Sequence, residues 1–170
     1  MSLSELISSV AQPLLDLLPQ IHARPASNEI AIIDSLWASP KTFRGPRLHI
    51  PALSHIEVYP ASEIPIDTGL QSLTSVDEKT VAVNATTIIK VRDPLLLREI
   101  AGMEWEEWAA MKIRGIVCEV ITCHKWTQSL KQAAEFVESE SYEELWPCGL
   151  NVQVVVLEDA TEVMPIRLFQ

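Results

Sequence analysis

One stretch constrains the fold more than any other. Val81, Val83, Ala85, Thr87, Ile89 and Val91 alternate with Ala82, Asn84, Thr86, Ile88, Lys90 and Arg92. A period of two sends successive side chains to opposite faces of an extended chain, so this is a strand with one face set aside for a core. Upstream, Leu70, Ser72, Thr74 and Val76 against Gln71, Leu73 and Ser75 predict a second strand. The polar run Val76 to Thr80 turns one onto the other as an antiparallel hairpin. Such a hairpin is stable only if its apolar face is covered.

Residues 93–149 are expected to supply that cover. Asp93-Pro94 places a capping carboxylate before a proline at the first helical position, which suits the free backbone amides and fixed φ of a helix start. A short helix is predicted from Pro94 to Ile100, ending at Gly102. A longer one is predicted from about Glu104 to Thr122, with Trp105, Trp108, Ala109, Ile113, Ile116, Val117 and Val120 turned inward. A third covers about Thr127 to Ser139 and buries Leu130, Ala133, Ala134 and Val137. A further helical turn, Tyr142 to Trp146, closes at Pro147 and Gly149. The chain then returns to strand over Leu150 to Leu157, with Val152, Val154 and Val156 on one side. Strands and helices that segregate along the chain favour an α+β domain with a mainly antiparallel sheet over a doubly wound one.

The region before the hairpin is punctuated by Pro25, Pro40, Pro46, Pro51, Pro60 and Pro65 and holds no long helix. Short strands are predicted at Ile30 to Asp34, Leu48 to Ile50 and Ile56 to Tyr59, with a turn at Phe43-Arg44-Gly45-Pro46. At the start, Leu3, Leu6, Ile7, Val10, Leu14, Leu17, Leu18 and Ile21 recur at helical spacing. They predict an amphipathic helix from about Leu3 to Leu18, capped by Ser2 and Glu5, kinked at Pro13 and ended by Pro19. Three segments result: an N-terminal amphipathic helix over 1–22, a domain over 23–160 and a short tail over 161–170.

Charge and cysteine content exclude several functions. The 170 residues carry 23 acidic against 13 basic side chains, a net charge of -10. That balance opposes a nucleic-acid groove, which draws its affinity from clustered Lys and Arg. Cys118, Cys123 and Cys148 are too few for a disulfide framework and suggest an intracellular compartment. The first twenty residues hold no Lys or Arg, so no secretory leader is expected, and Leu14 to Leu18 is too short an apolar stretch to span a bilayer. Cys118, Cys123, His124 and Cys148 are the only candidate metal set, without a CxxC or HxxxH pair to hold zinc. Cys123 beside His124 lacks a third orienting residue for nucleophilic catalysis. No GxGxxG or GxxxxGK[ST] occurs. No cofactor, metal or small-molecule substrate is expected. Glu104, Glu106, Glu107 and Glu119 suit the positive end of a helix dipole, and Glu138, Glu140, Glu143 and Glu144 read as a solvated face. Trp105 and Trp108 at helical spacing read as core, with an exposed anchor as the alternative.

The same residues carry a family resemblance. Ala31-Ile32-Ile33-Asp34 resembles an early strand, and Gly45-Pro46-Arg47-Leu48-His49-Ile50-Pro51 a G-P-G-L-H turn. Thr74 to Ala85 resembles a central hairpin, Ile89-Lys90-Val91-Arg92-Asp93-Pro94 its ending, and Trp146 to Val152 the approach to a last strand. In this order the motifs resemble the SPFH or band 7 domain of stomatins, prohibitins and flotillins, over about Pro25 to Asp159. Arg47 departs from the pattern where a second glycine is usual, so its backbone must avoid positive φ. Lys125 to Gln132 departs from the acidic helix start of the family, and with the sequence stopping at Gln170 the coiled-coil helix that usually succeeds the domain is not expected.

The resemblance implies a non-enzymatic scaffold that assembles side by side as a homo-oligomer, cytoplasmic or peripheral to the inner face of a membrane. It also implies that the N-terminal helix is a membrane anchor whose lipid-facing residues are Leu6, Ile7, Val10, Leu14 and Leu17. That stripe has no basic residues beside it, so packing on protein is an equal alternative. On that alternative the chain is a soluble structural subunit of a larger assembly, such as a phage or virus particle, and its place is the virion. Ile166, Leu168 and Phe169 form an apolar tail suited to subunit docking.

Overall fold

The computed structural model describes residues 22–50, 53–102, 104–123 and 130–162. They form two compact units that divide between Ala61 and Ser62, inside the span read from sequence as one domain. The class is α+β, with antiparallel sheets throughout the described residues. The N-terminal helix and the tail residues Ile166, Leu168 and Phe169 lie outside the described residues.

The first unit is built of strands. β1 (His22–Ala23) pairs with β4 (Arg47–Leu48) as a short ribbon. β2 (Glu29–Ser35) lies between β3 (Ala38–Phe43) and β5 (Ser54–Pro60). Its Ile30, Ala31, Ile32 and Ile33 are all buried. β5 and β2 match the expected strands within a residue or two. The predicted strand Leu48 to Ile50 is instead Arg47–Leu48, and Arg47 adopts an ordinary negative φ there.

The second unit is organised by β8 (Thr80–Val91), the alternating stretch. Every odd-numbered residue from Val81 to Val91 is buried, as the period predicted. β9 (Leu150–Glu162) pairs along one edge of β8. The other edge is shared end to end by β6 (Glu63–Asp67), opposite 86–90, and β7 (Gln71–Thr74), opposite 80–83. Thr68 fills the gap between these two strands. Its amide and hydroxyl both donate to the Ala85 carbonyl at 3.0 Å, and its hydroxyl accepts from the Ala85 amide at 3.2 Å. Thr68 is fully buried, yet each polar group is paired, which is the condition for burying it cheaply.

Helices cover this sheet. α1 (Pro94–Ala101) starts as expected, with the Asp93 carboxylate accepting from the Leu95 and Leu96 amides at 3.1 and 3.3 Å. α2 (Trp105–Cys123) runs against β6, β7 and β8. Arg114 ties it to the β6–β7 junction, its Nε donating to the Thr68 carbonyl at 3.1 Å. α3 (Leu130–Leu145) packs on β9 and α2.

The structure corrects two expectations. The third helix does not stop at Ser139 with a separate turn after it. It continues to Leu145 because Ala133, Val137, Ser141 and Leu145, four apart, make one buried stripe, and no glycine or proline interrupts them. A 3-10 turn, Trp146–Cys148, comes next. Nor do Val152, Val154 and Val156 share the buried face. Val152 pairs with Ile89 and Val154 with Ile88, so Gln153 is an extra residue in the ladder. This β-bulge moves burial from Val154 to Val155 and leaves Val154 and Val156 exposed. β9 also runs on to Glu162, into the segment read as tail.

The junctions on either side of the helical region meet at Gly149. Its carbonyl accepts from the Arg92 and Asp93 amides at 2.8 and 3.0 Å, binding the end of β8 to the start of β9. Gly149 has a φ of 87°, and a Cβ there would collide with the Asp93 carbonyl oxygen. Arg92 reinforces the junction, its guanidinium lying 4.0 Å from the Trp146 ring centroid and donating to the Trp146 carbonyl at 3.0 Å. Gly149→Ala is therefore expected to cost about 3 kcal/mol, combining left-handed backbone strain with overpacking, as read from urea denaturation. Ser141→Ala should do the opposite. The Ser141 hydroxyl is buried with no hydrogen-bond partner, so removing it should raise stability by about 1 kcal/mol in the same assay.

Candidate interaction surfaces

The first unit ends in an apolar tip. Ser35 pairs with both Ala38 and Ser54, so the β2–β3 turn and the turn leading into β5 lie side by side at one end of the sheet. Hydrogen bonds fix them to each other. The Leu36 amide donates to the Leu53 carbonyl at 3.1 Å, and the Ile50 carbonyl accepts from the Leu53 amide, the Ser54 amide and the Ser54 hydroxyl at 2.8, 2.9 and 2.9 Å. At this end Leu36 is 72%, Trp37 78% and Ile50 57% exposed. Large apolar side chains clustered in water cost free energy unless another surface covers them.

The charge around the tip is as distinctive as its apolarity. Residues 35–54 contain Lys41, Arg44 and Arg47 and no Asp or Glu. Among the described residues Lys41 and Arg44 engage in no ion pair, while Arg47 lies 5.8 Å from the Phe43 ring centroid. Residues 62–170 by contrast hold nine Lys and Arg against eighteen Asp and Glu, a net charge of -9. The chain is therefore acidic overall but carries one segment that is cationic and apolar.

The second unit shows the acidic side. A cavity of about 140 Å³ between α2 and α3 has Ile116, Val120 and Phe136 among its lining, with Glu119, Glu140, Glu144 and Cys123 around it. Lys112 pairs with Glu144 at 3.6 Å. Glu106 and Glu107 occupy the first turn of α2, where they complement the helix dipole. Glu138 accepts from the Val155 amide at 3.4 Å, and so has a structural task that its place in an acidic run did not indicate.

The cysteines are all free thiols. Cys123 is exposed at the end of α2, Cys118 is half-buried, and the half-buried Cys148 donates to the Glu144 carbonyl at 3.4 Å. His124 lies outside the described residues, and among those described no imidazole lines the cavity at Cys123. Among the described residues no cluster of three or more His, Cys, Asp and Glu could hold a metal ion, and no helix is long and apolar enough to cross a membrane. Trp105 is buried, while Trp108 is only partly so.

Of the residues singled out in the sequence as contacts, Leu6, Ile7, Val10, Leu14, Leu17, Ile166, Leu168 and Phe169 all lie outside the described residues. The tip was not among the surfaces expected from sequence. Its one signal is an uncharged, aromatic-bearing turn inside a segment devoid of acid. Comparison with protein-family models and with the curated proteins finds no match for this chain. Exposure alone predicts that Cys123 is alkylated by iodoacetamide in the native protein well before Cys118 and Cys148, as measured by peptide mass spectrometry.

Proposed function

We propose that this protein is a non-enzymatic, self-associating scaffold of the SPFH or band 7 type that works at the inner face of a membrane. The observation that carries the membrane part is the exposure of Leu36, Trp37 and Ile50 on a segment with three cations and no acid. Apolar and aromatic side chains partition into the headgroup boundary, and nearby Lys and Arg add about 1 kcal/mol each against anionic lipid. The order of elements supports the family part. Short proline-punctuated strands precede a hairpin whose long strand ends in Arg92-Asp93-Pro94, and helices come next, before a last strand. The N-terminal stripe Leu6, Ile7, Val10, Leu14 and Leu17 is a second membrane contact on this reading, and Ile166, Leu168 and Phe169 dock subunits.

The alternative is a soluble structural subunit of a larger assembly, such as a phage or virus particle. One observation favours it: Val154 and Val156 are exposed on β9 beside Ile88 and Thr86 of β8, an apolar strip suited to a protein neighbour.

Flotation of the full chain with vesicles containing phosphatidylglycerol, with mass measured by light scattering, separates the two. The scaffold reading expects an oligomer that floats. Leu36→Ser/Trp37→Ser should weaken flotation at least ten-fold, since burying two such side chains contributes about 3 kcal/mol. Leu14→Glu/Leu17→Glu tests the N-terminal stripe in the same assay. An oligomer that never floats, and that is broken by Val154→Lys/Val156→Lys, would install the assembly-subunit reading instead.

A further inference from the structure

The sheet of the first unit has a second feature beside the tip. A cleft of about 480 Å³ opens over the face of β2 and β5 that carries Ala31, Ile56 and Val58, with Ala23, Arg24 and Pro25 along the other wall. The pairings Ala31 with Val58 and Ser35 with Ser54 put these side chains in register along one face. The floor is apolar, and Val58 is 51% exposed within it. Arg24 and Glu29 line it on one side of this floor, and His49, Ser54 and His55 on the other.

The two ends differ. At the tip end, His49 Nδ1 lies 3.3 Å from the Ser54 hydroxyl, which itself donates to the Ile50 carbonyl, so these groups satisfy one another. The opposite end is set by Glu29, which pairs with Pro60, the far residue of β5. β1 runs antiparallel to β4, and β4 leads through His49 toward Ile50, so Arg24 extends away from the tip toward this end. The Glu29 carboxylate is engaged, accepting from the Ala26 amide at 2.7 Å. Among the described residues Arg24 makes neither a hydrogen bond nor an ion pair. An unpaired guanidinium is a bidentate phosphate donor, and here it borders the cleft that holds the exposed Val58.

On these grounds we infer that the cleft binds one anionic phospholipid, its phosphate on Arg24 and its acyl chain along Val58, Ala31 and Ile56 toward the tip. The volume falls in the range of ordinary ligand sites. Arg24 is the one unpaired cation of the cleft among the described residues, and Glu29, which accepts from the Ala26 amide, keeps its negative charge at the same end. The inference deepens the membrane reading above, and names the lipid class that the site prefers.

The test uses the full chain and soluble short-chain lipids below their micellar concentration. Dihexanoylphosphatidic acid is titrated by calorimetry and by amide shifts, against dihexanoylphosphatidylcholine and inorganic phosphate. Saturable one-to-one binding of the phosphatidic acid is expected, at least ten-fold tighter than either control. Arg24→Gln should weaken it ten-fold or more, and Val58→Glu, at an exposed position, should abolish it without lowering the melting temperature. Equal binding of phosphatidylcholine, binding retained in Val58→Glu, or inorganic phosphate binding as tightly as the lipid would each overturn the inference. Should the chain bind the soluble lipid but not float with vesicles, the membrane reading fails and the cleft stands. Should it float but bind no soluble lipid, the cleft fails alone.

Discussion

Pairing along both edges of β8 is the constraint on which the second unit depends. A twelve-residue strand with every second side chain buried has to be flanked on each edge and covered on one face. β9 alone spans nearly its full length, so the chain must come back from the helical region at the right height. Gly149 sets that height, because only a residue without a Cβ lets the start of β9 approach the Asp93 carbonyl. The opposite edge is made from two short strands, and their junction would leave the Ala85 amide and carbonyl unpaired without Thr68. Arg114 then fixes α2 to the same junction. Helix placement thus depends on the way hydrogen bonds are completed around one strand, with burial of apolar side chains supplying the larger driving force.

How much of this fold is legible in the sequence depends on whether a local pattern and the tertiary demand coincide. β8, the hairpin turn and the start of α1 are plain, since alternation, polar turn and Asp-Pro cap all act within a few residues. β3 is not. Ala38-Ser39-Pro40-Lys41-Thr42 is exposed throughout, so no burial imprints a period on it, and Pro40 argues against a strand except at an edge. β6 escapes for a related reason: Glu63, Pro65 and Asp67 mask Ile64 and Ile66, the residues that face inward. In β9 the run of valines suggests simple alternation, but a bulge changes its phase, and a bulge leaves no mark in apolar sequence. The end of α3 is easily misplaced because Ser139 and Ser141 look like a boundary until the four-residue spacing of Ala133, Val137, Ser141 and Leu145 is seen to be one buried face.

The surfaces are less legible than the fold. Trp37 stands alone in the sequence, without a periodic partner, and nothing local distinguishes an exposed tryptophan from a buried one. It becomes informative only when the register of β2 with β5 brings its turn beside the one that leads into β5. Arg24 is similar, since a single arginine near a proline has no pattern, and its significance comes from the open apolar face that β1 borders. Glu138 makes the converse point. Set in an acidic run, it reads as solvated charge, yet it completes a backbone donor on β9.

A net charge of -10 would oppose contact with anionic lipid if it were spread evenly, and the distribution of charge resolves this. Electrostatic attraction to a bilayer falls off over about a Debye length, roughly 8 Å at physiological salt, so the charge that counts is that of the segment in contact. On the proposed reading that segment is residues 35–54, with three cations and no acid. The acidic side chains of α2 and α3 belong to the other unit. On the proposed membrane reading, local cation content would set attraction, and insertion would be decided by Leu36, Trp37 and Ile50, whose burial outweighs any single ion pair. On that proposed reading the grip on a membrane would belong to the tip of the first unit, and making the tip polar would release it whatever charge the second unit holds.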